Sequence, residues 1–484
     1  MPPCALDLVK LKEDLVQPYD TLIRGGLIIS PTGRRHADVA IRDGRIASIV
    51  EPGGDLAATE TIEAAGLALM PGVIDVHQHH RDPGFTHKED ITTGTSAAAA
   101  GGVTTAVAMP NVEPPPNRPE LLEAMFSSYE EKAIVDWNIN PAGVLPDQIP
   151  ALAAMGVLAF KVFMVGDTKR SYPHMPGIGI HDHGKLLEIF DAVAPTGLPL
   201  MVHPHDQAIM AYLEAGYWAR GERDFRAYAK AYSDRDGIIW DTATAVLLRL
   251  QEASGARLHV LHTQTTGMLD QIARAKAAGR PVTAEINSWG LFLGNEWSNI
   301  ERLGSYALAY YVPEKNTDPL WQALRDGTVD IFASDHGPHL REEKEPGWTD
   351  GWKAHTGVPS AQFYFPLLLD AAARGRLSLE RVVEVTATSP ARIFGLGAKG
   401  RIEVGADADI VLVDLAAEVE ITEDMVLSKC AWTPFAGQRV KGWPVATLVR
   451  GRTVQRDGKI LVEPGWGRQA RPTPPQVAVE TLAS

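Results

Sequence analysis

The chain has 484 residues, 45% hydrophobic and 22% charged, which is the composition of a water-soluble protein too long for one ordinary compact domain. Its formal net charge of −14 argues against nucleic acid and anionic membranes as partners. The two cysteines, Cys4 and Cys430, exclude a disulfide framework and a cysteine-rich zinc site, so any metal must be held by histidines and carboxylates.

From about Thr21 to Ala68 the chain reads as β-structure. Leu22-Ile23-Arg24, Leu27-Ile28-Ile29 and Val39-Ala40-Ile41 are short strand candidates, separated by Gly25-Gly26, Pro31-Thr32-Gly33 and Asp43-Gly44. Strand and helix signals then alternate. Strands are expected over 73–76, 104–107, 137–139, 158–162, 200–203, 258–262, 282–285 and 331–335, with helices such as 186–193, 242–253 and 268–278 between them. The alanines at 97–100 followed by Gly101-Gly102 read as a helix and its stop rather than a phosphate loop. Strand signals return at 408–413 and 446–449, with turns at Gly405 and Asp457-Gly458, and the segment after Pro464 reads as a loose arm.

This order predicts an α/β protein: a (β/α)8 TIM-like barrel over 71–396, and a small β-sandwich domain built from both chain ends, 1–70 and 397–464, with 465–484 as an extended tail. The N-terminus carries no signal-peptide pattern and no apolar run reaches membrane-span length, so the expected location is cytoplasmic, with no membrane partner.

In a barrel of this kind the working groups sit at the C-terminal ends of the strands. The polar residues expected there are His77 and His79, Lys161, His203, His262 and Asp335. Alternation puts Lys161 on a face with Val157 and Ala159, His262 with Leu258 and Val260, and Asp335 with Ile331 and Ala333. Neutral imidazoles and a carboxylate bind zinc or a similar divalent ion, and the set is large enough for two. Two such ions can bridge a water and make it a hydroxide near neutral pH. Lys161 is the odd member, since an ammonium beside two cations is repelled; it must be neutral or converted to an anion.

These residues give the chain its resemblance. It resembles the amidohydrolase superfamily, and within it the cyclic-amide hydrolases: dihydroorotase, hydantoinase/dihydropyrimidinase and allantoinase. The likeness extends to Gly400-Arg401-Ile402 and Gly405-Ala406-Asp407-Ala408-Asp409. It implies that Lys161 is carboxylated and bridges two divalent ions, zinc being the expected metal, with His77, His79 and Asp335 at one and His203 and His262 at the other. It also implies that Asp335 moves the proton. The motifs most resemble those of dihydroorotase: His77-x-His79-x-Arg81-Asp82-Pro83-Gly84, Met109-Pro110-Asn111 and Asp335-His336-Gly337-Pro338-His339. By that resemblance Arg81, Asn111 and His339 hold a substrate carboxylate, and a guanidinium forks well onto one. Relatives of this kind are commonly homodimers or homotetramers.

Two segments depart from the dihydroorotase pattern: Ile286-Asn287-Ser288-Trp289-Gly290 after the strand glutamate, and Tyr310-Tyr311-Val312-Pro313-Glu314-Lys315. They suggest a pocket richer in aromatics, with Trp289, Phe292, Trp297, Tyr310 and Tyr311. The expected function is therefore a metal-dependent, dihydroorotase-like hydrolase that opens a small cyclic amide through a metal-bridging hydroxide. A hydantoinase-, dihydropyrimidinase- or allantoinase-like hydrolase of another amide, imide, ureide or lactone is the alternative, and a non-catalytic barrel scaffold is a third. Plainer readings compete at single residues. His205 competes with His203, His259 is expected to face away from the interior, and Arg81 could simply pair with Asp82 or Glu89.

Overall fold

The structure is a computed structural model that describes residues 18–165, 177–307 and 311–473; Cys4, His174, Tyr310 and the end of the tail lie outside them. The chain first lays down β1 (Tyr19–Ser30), β2 (Gly33–Arg42), β3 (Arg45–Val50), β4 (Ala58–Glu63) and β5 (Ala68–Pro71). Eight strands alternating with helices follow: β6 (Val73–Gln78), β7 (Val103–Ala108), β8 (Asp136–Ile139), β9 (Phe160–Phe163), β10 (Leu200–His203), β11 (Leu258–Val260), β12 (Val282–Asn287) and β13 (Ile331–Ala333). The last four are β14 (Ile410–Glu420), β15 (Arg439–Val449), β16 (Arg452–Arg456) and β17 (Lys459–Ile460).

The two ends of the chain share one nine-stranded sheet, in the order β17-β16-β15-β14-β5-β1-β2-β3, with β4 beside β1. Gly25 and Gly26, expected to separate two short strands, instead lie inside β1, where the pairing with β2 slips between Ile23 and Gly26. A Cβ on Gly26 would stand 2.5 Å from Leu69 Cγ, so glycine is what lets β1 bend there against the sheet core.

The middle strands form two parallel sheets, β6-β7-β8 and β13-β12-β11-β10-β9. Both edges of the two sheets meet: isolated bridges join Gln78 to His336 and Ala142 to Lys161. Lys161 N donates to Pro141 O at 2.9 Å, and His79 N to His336 O at 2.8 Å. Nearly every residue of these strands is buried, as parallel strands covered on both faces require. One cluster of buried residues includes Ile74, Val76, Ala159, Met201, Leu261, Ile331 and Ala333. Val162, Leu258, Val260 and Phe332 belong to the main core with the helices. The helix Ile91–Ala100 begins at Asp90, whose carboxylate accepts from Thr93 N, and stops at Gly101. Among the described residues no helix is long and apolar enough to cross a membrane.

This division corrects the alternation expected for the sixth strand. Leu258 and Val260 face the helices, and it is His259 and Leu261 that take the other side. His259 does not face away: its Nε2 is 3.5 Å from Glu285 Oε2 and its ring meets Phe394 of the inner cluster. His262 enters the interior by a different route, because the strand has ended and the residue adopts φ +55°.

A buried ion cluster ties the shared sheet to the middle strands. Lys399 Nζ lies 2.7 Å from Asp136 at the head of β8, 2.5 Å from Asp409 and 3.3 Å from Asp407, and Arg450 pairs with Asp136 from the other side. The segment after Pro464, expected as a loose arm, is fastened through residue 473. Trp137 N donates to Arg468 O (3.0 Å), Ala470 N to Trp137 O (2.7 Å) and Asn138 Nδ2 to Ala470 O (2.6 Å). Removing one partner of a buried ion group leaves the others uncompensated. Lys399→Met, which removes the cation shared by three carboxylates, should lower the unfolding free energy by about 3–5 kcal/mol, read by chemical denaturation; a change under ~1 kcal/mol would show that the cluster is not a brace.

Candidate active site

β12 carries the residues that organise this region. Glu285 and Asn287 are two apart and so share a face of the strand. Glu285 Oε1 is 2.6 Å from His77 Nδ1. The carboxylate can only accept, so His77 carries its proton on Nδ1 and keeps a lone pair on Nε2. Asn287 repeats the device: its Oδ1 accepts from His262 Nδ1 at 2.7 Å while its Nδ2 donates to Glu285 at 3.0 Å. Burial pushes the Glu285 carboxyl up, but His77 and His259 more than offset this and hold it well below the usual carboxylate range.

The imidazoles form a row. Ring centroids are 5.4 Å apart for His79 and His77, 5.1 Å for His77 and His262, and 4.6 Å for His262 and His203. Asp335 faces this row, with Oδ1 3.1 Å from His77 Nε2 and 3.4 Å from His79 Nε2, and Oδ2 3.4 Å from His262 Nδ1. The 3.1 Å approach is close but not aligned as a hydrogen bond, for His77 Nε2 has no hydrogen-bond partner among the described residues. Two ligand atoms that near, each aimed past the other, point to a common third position. Ligand atoms of His77, His262 and Asp335 all lie within 4.8 Å of one another.

Lys161 in β9 is fully buried, with Nζ unpartnered among the described residues and 4.3 Å from the centroid of the Phe163 ring. Burial pulls its ammonium down to about 7, against the pull of Glu285 and Asp335. Burial also lowers His79 and His203 well below the ordinary histidine value and His262 to about 4, so these rings are neutral at pH 7, as metal ligands must be. For Asp335, burial raises the carboxyl but His77 and His262 win, and it stays an anion. His77 Nε2, His79 Nδ1, Lys161 Nζ and His203 Nε2 are all buried without a hydrogen bond among the described residues. Buried nitrogens left unpartnered, as His77 Nε2, Lys161 Nζ and His203 Nε2 are, would be costly with nothing to bind. A divalent ion fits this donor set.

Backbone geometry helps to aim the site. Arg81, His262 and Asp335 adopt φ +58°, +55° and +49°, a region L-residues avoid unless the surroundings impose it. Arg81 is buried, and burial lowers its guanidinium to about 10. It does not pair with Asp82, which takes Lys132 at 2.8 Å, or with Glu89, which Ser428 and Lys429 N hold. Instead Arg81 Nε reaches Pro338 O at 3.4 Å and Nη2 stands 3.2 Å from His339 Nε2, while Nη1 has no partner among the described residues. Asn111 Oδ1 is likewise buried and unpartnered.

Other residues differ from expectation. Of the aromatics expected in the pocket, Trp289 reaches the site and donates to Asp335 Oδ2 at 3.1 Å. Phe292 packs on Trp321 and Phe332, and Trp297 on Tyr311. Trp240 was not anticipated, yet its ring lies 5.7 Å from His203. His203 touches the His262 ring, whereas His205 packs on His203, Tyr232 and Trp240. The Glu285-x-Asn287 spacing was a readable signal for the bracket; nothing local marked Trp240.

A family model described as the amidohydrolase family matches residues 178–454, and one described as dihydro-orotase-like matches residues 66–149. An L-hydantoinase of Paenarthrobacter aurescens is 32% identical over 93% of this chain and 97% of its own length. A dihydroorotase of Halobacterium salinarum is 36% identical over 86% of this chain and 95% of its own. The solved L-hydantoinase (dihydropyrimidinase) from Arthrobacter aurescens superposes with TM-score 0.87 at 32% identity, covering 94% of this chain and all of that one.

One consequence of the buried lysine is a pH dependence. In protein stripped of metal and bicarbonate, Lys161 titrates near 7 folded against 10.5 unfolded. Between these limits the unfolded chain binds more protons, so this group makes stability rise with pH, by up to about 1.4 kcal/mol per unit. Lys161→Met should flatten that component when denaturation midpoints are compared at pH 7 and 9. Identical pH dependence in the two proteins would contradict it.

Proposed function

The chain belongs to the amidohydrolase family, and from that premise we propose that it hydrolyses a small cyclic amide bearing an anionic group, as a dihydroorotase does. The observation that carries this reading is the set of buried nitrogen atoms without hydrogen bonds, His77 Nε2 at 3.1 Å from Asp335 with Lys161 Nζ and His203 Nε2, beside a buried arginine with an unused N–H edge. The same proposal takes the two parallel sheets, bridged at both edges, as one closed (β/α)8 barrel over 71–396, with the shared sheet of the chain ends as a β-sandwich companion.

His77, His79, Lys161 and Asp335 would hold one divalent ion, and His203 and His262, with Lys161 shared, a second; the nitrogen-rich set favours zinc. Such ions supply Lewis acidity toward a carbonyl and lower the pKa of water. Lys161 suits carboxylation. At about 7 a good fraction of its amine is neutral, which is the form that adds to CO2; an N–C bond forms, a proton leaves, and the repulsive cation becomes an anion.

Asp335 takes the proton from the attacking water and delivers it to the leaving ring nitrogen. Trp289 fixes the orientation of its Oδ2. Arg81 meets the substrate's anionic group through its unpartnered edge, Asn111 Oδ1 accepts from a ring N–H, and His339 lines the same end. A second reading, hydrolysis of a neutral ring, is favoured by the superposition on the L-hydantoinase. A homodimer or homotetramer in the cytoplasm completes the proposal, and light scattering on the purified protein tests the assembly.

Asp335→Asn should retain metal by elemental analysis and lose about 10²–10⁴ of kcat; full activity would remove the proton-carrier role. Arg81→Ala should raise KM for acidic rings by about tenfold or more and spare neutral ones. If only neutral rings are turned over by the parent enzyme, the hydantoinase-like reading replaces this one.

A further inference from the structure

Lys88 is 1% exposed and lies outside the ligand set described above. Its Nζ stands among three acceptors: Glu343 Oε1 at 2.6 Å, His339 Nδ1 at 3.2 Å and His355 Nδ1 at 3.4 Å. The ligand atoms of His339, Glu343 and His355 lie within 4.8 Å of one another, the arrangement of a cation cage, and the lysine head group sits inside it.

An ammonium has three N–H groups and no lone pair. An imidazole nitrogen hydrogen-bonded to it accepts, and although the two Nδ1 atoms also lie 3.3 Å apart and His355 Nδ1 lies 3.4 Å from Glu343 Oε1, the ammonium can serve all three acceptors at once when His339 and His355 carry their protons on Nε2. His339 Nδ1 also lies 3.5 Å from Glu343 Oε2, but a hydrogen on Nδ1 would crowd the nearer ammonium. On the far side of the ring, Nε2–H donates to Thr356 O at 3.1 Å. That carbonyl is set by a tight loop: Gly357 has φ +135°, and a Cβ there would stand 2.6 Å from Gly337 O.

This assignment changes what Arg81 meets. Its Nη2, 3.2 Å from His339 Nε2, faces an N–H rather than a lone pair. Donor against donor makes no hydrogen bond, and Nη1 has no partner among the described residues. We propose that Lys88 is a positioning residue: by holding His339 in its Nε2–H form it denies Arg81 an internal acceptor and reserves the guanidinium for the substrate's anionic group. This inference rests on the reading of Arg81 as the partner of that group. Without the ammonium, His339 can move its proton to Nδ1, accept from Arg81 and occupy the edge the substrate needs.

The test compares the full-length metal-loaded enzyme with Lys88→Met on dihydroorotate, a cyclic ureide with a ring carboxylate, and on dihydrouracil, the same ring without it. Lys88→Met should raise KM for dihydroorotate by about tenfold, the size expected for one charge-assisted hydrogen bond. It should change kcat less than about twofold and leave dihydrouracil kinetics as they were. Lys88→Arg, which keeps a cation in the cage, should restore KM. Glu343→Gln, which loosens the ammonium, should move KM in the same direction and serves if Lys88→Met does not fold. Lys88→Ala should also bind about one more equivalent of Co2+ than the parent, in the emptied cage. If Arg81→Ala harms dihydroorotate turnover and neither Lys88→Met nor Glu343→Gln does, the inference falls and the reading of Arg81 stands. Equal losses on both substrates would reduce Lys88 to a structural role and overturn it. A parent enzyme inactive on dihydroorotate, or an Arg81→Ala variant without effect, defeats both.

Discussion

The hydrogen bond between Glu285 and His77 is the constraint on which the candidate site depends. A carboxylate buried beyond the reach of water is costly unless it is compensated, and Glu285 Oε1 accepts from both His77 and Asn287 while His259 Nε2 stands 3.5 Å from Oε2. In return it fixes a tautomer. Because Nδ1 of His77 must donate, Nε2 must face Asp335 with a lone pair, and Asn287 imposes the same logic on His262. The remaining imidazoles are kept neutral by burial. Chemistry at this end of the strands is thus prepared by a polar strand, β12, whose own side chains need not touch a substrate.

Much of the plan was legible in the sequence, because alternating strand and helix signals and widely spaced histidines survive without any tertiary context. All eight middle strands overlap the ranges expected for them, and the metal-type residues His77, His79, His203, His262 and Asp335 do approach one another. Strict alternation failed at β11. That strand is only three residues long, and His262 lies beyond it in a left-handed conformation that a two-residue period cannot anticipate. The aromatics misled for a related reason: Phe292 and Trp297 follow β12 closely, but the short helices there turn them into their own clusters. Lys88 was invisible, because its meaning comes from Glu343 and His355, more than 250 residues away in the chain.

Charge is distributed unevenly at the mouth. Arg81 and Lys88 are both buried near His339, with Glu343 as the carboxylate closest to Lys88. In low dielectric a buried guanidinium costs free energy; Glu343, Asp335 and Glu89 offset part of that cost for Arg81, and an anion at its open edge would offset more. The strained backbone of Arg81 fits the same pattern, since conformational strain persists where the surrounding structure holds a group ready for a partner.

The fastening of Arg468 and Ala470 onto Trp137 has a consequence for biosynthesis. β8 is translated long before the backbone groups that close its flank, which lie 332 residues downstream, and before the Lys399 and Arg450 that neutralise Asp136. Until those residues emerge, a nascent chain carries Asp136 without its cations. Closure of this flank therefore waits for residues 468–470, which makes that stretch a clasp rather than an appendage.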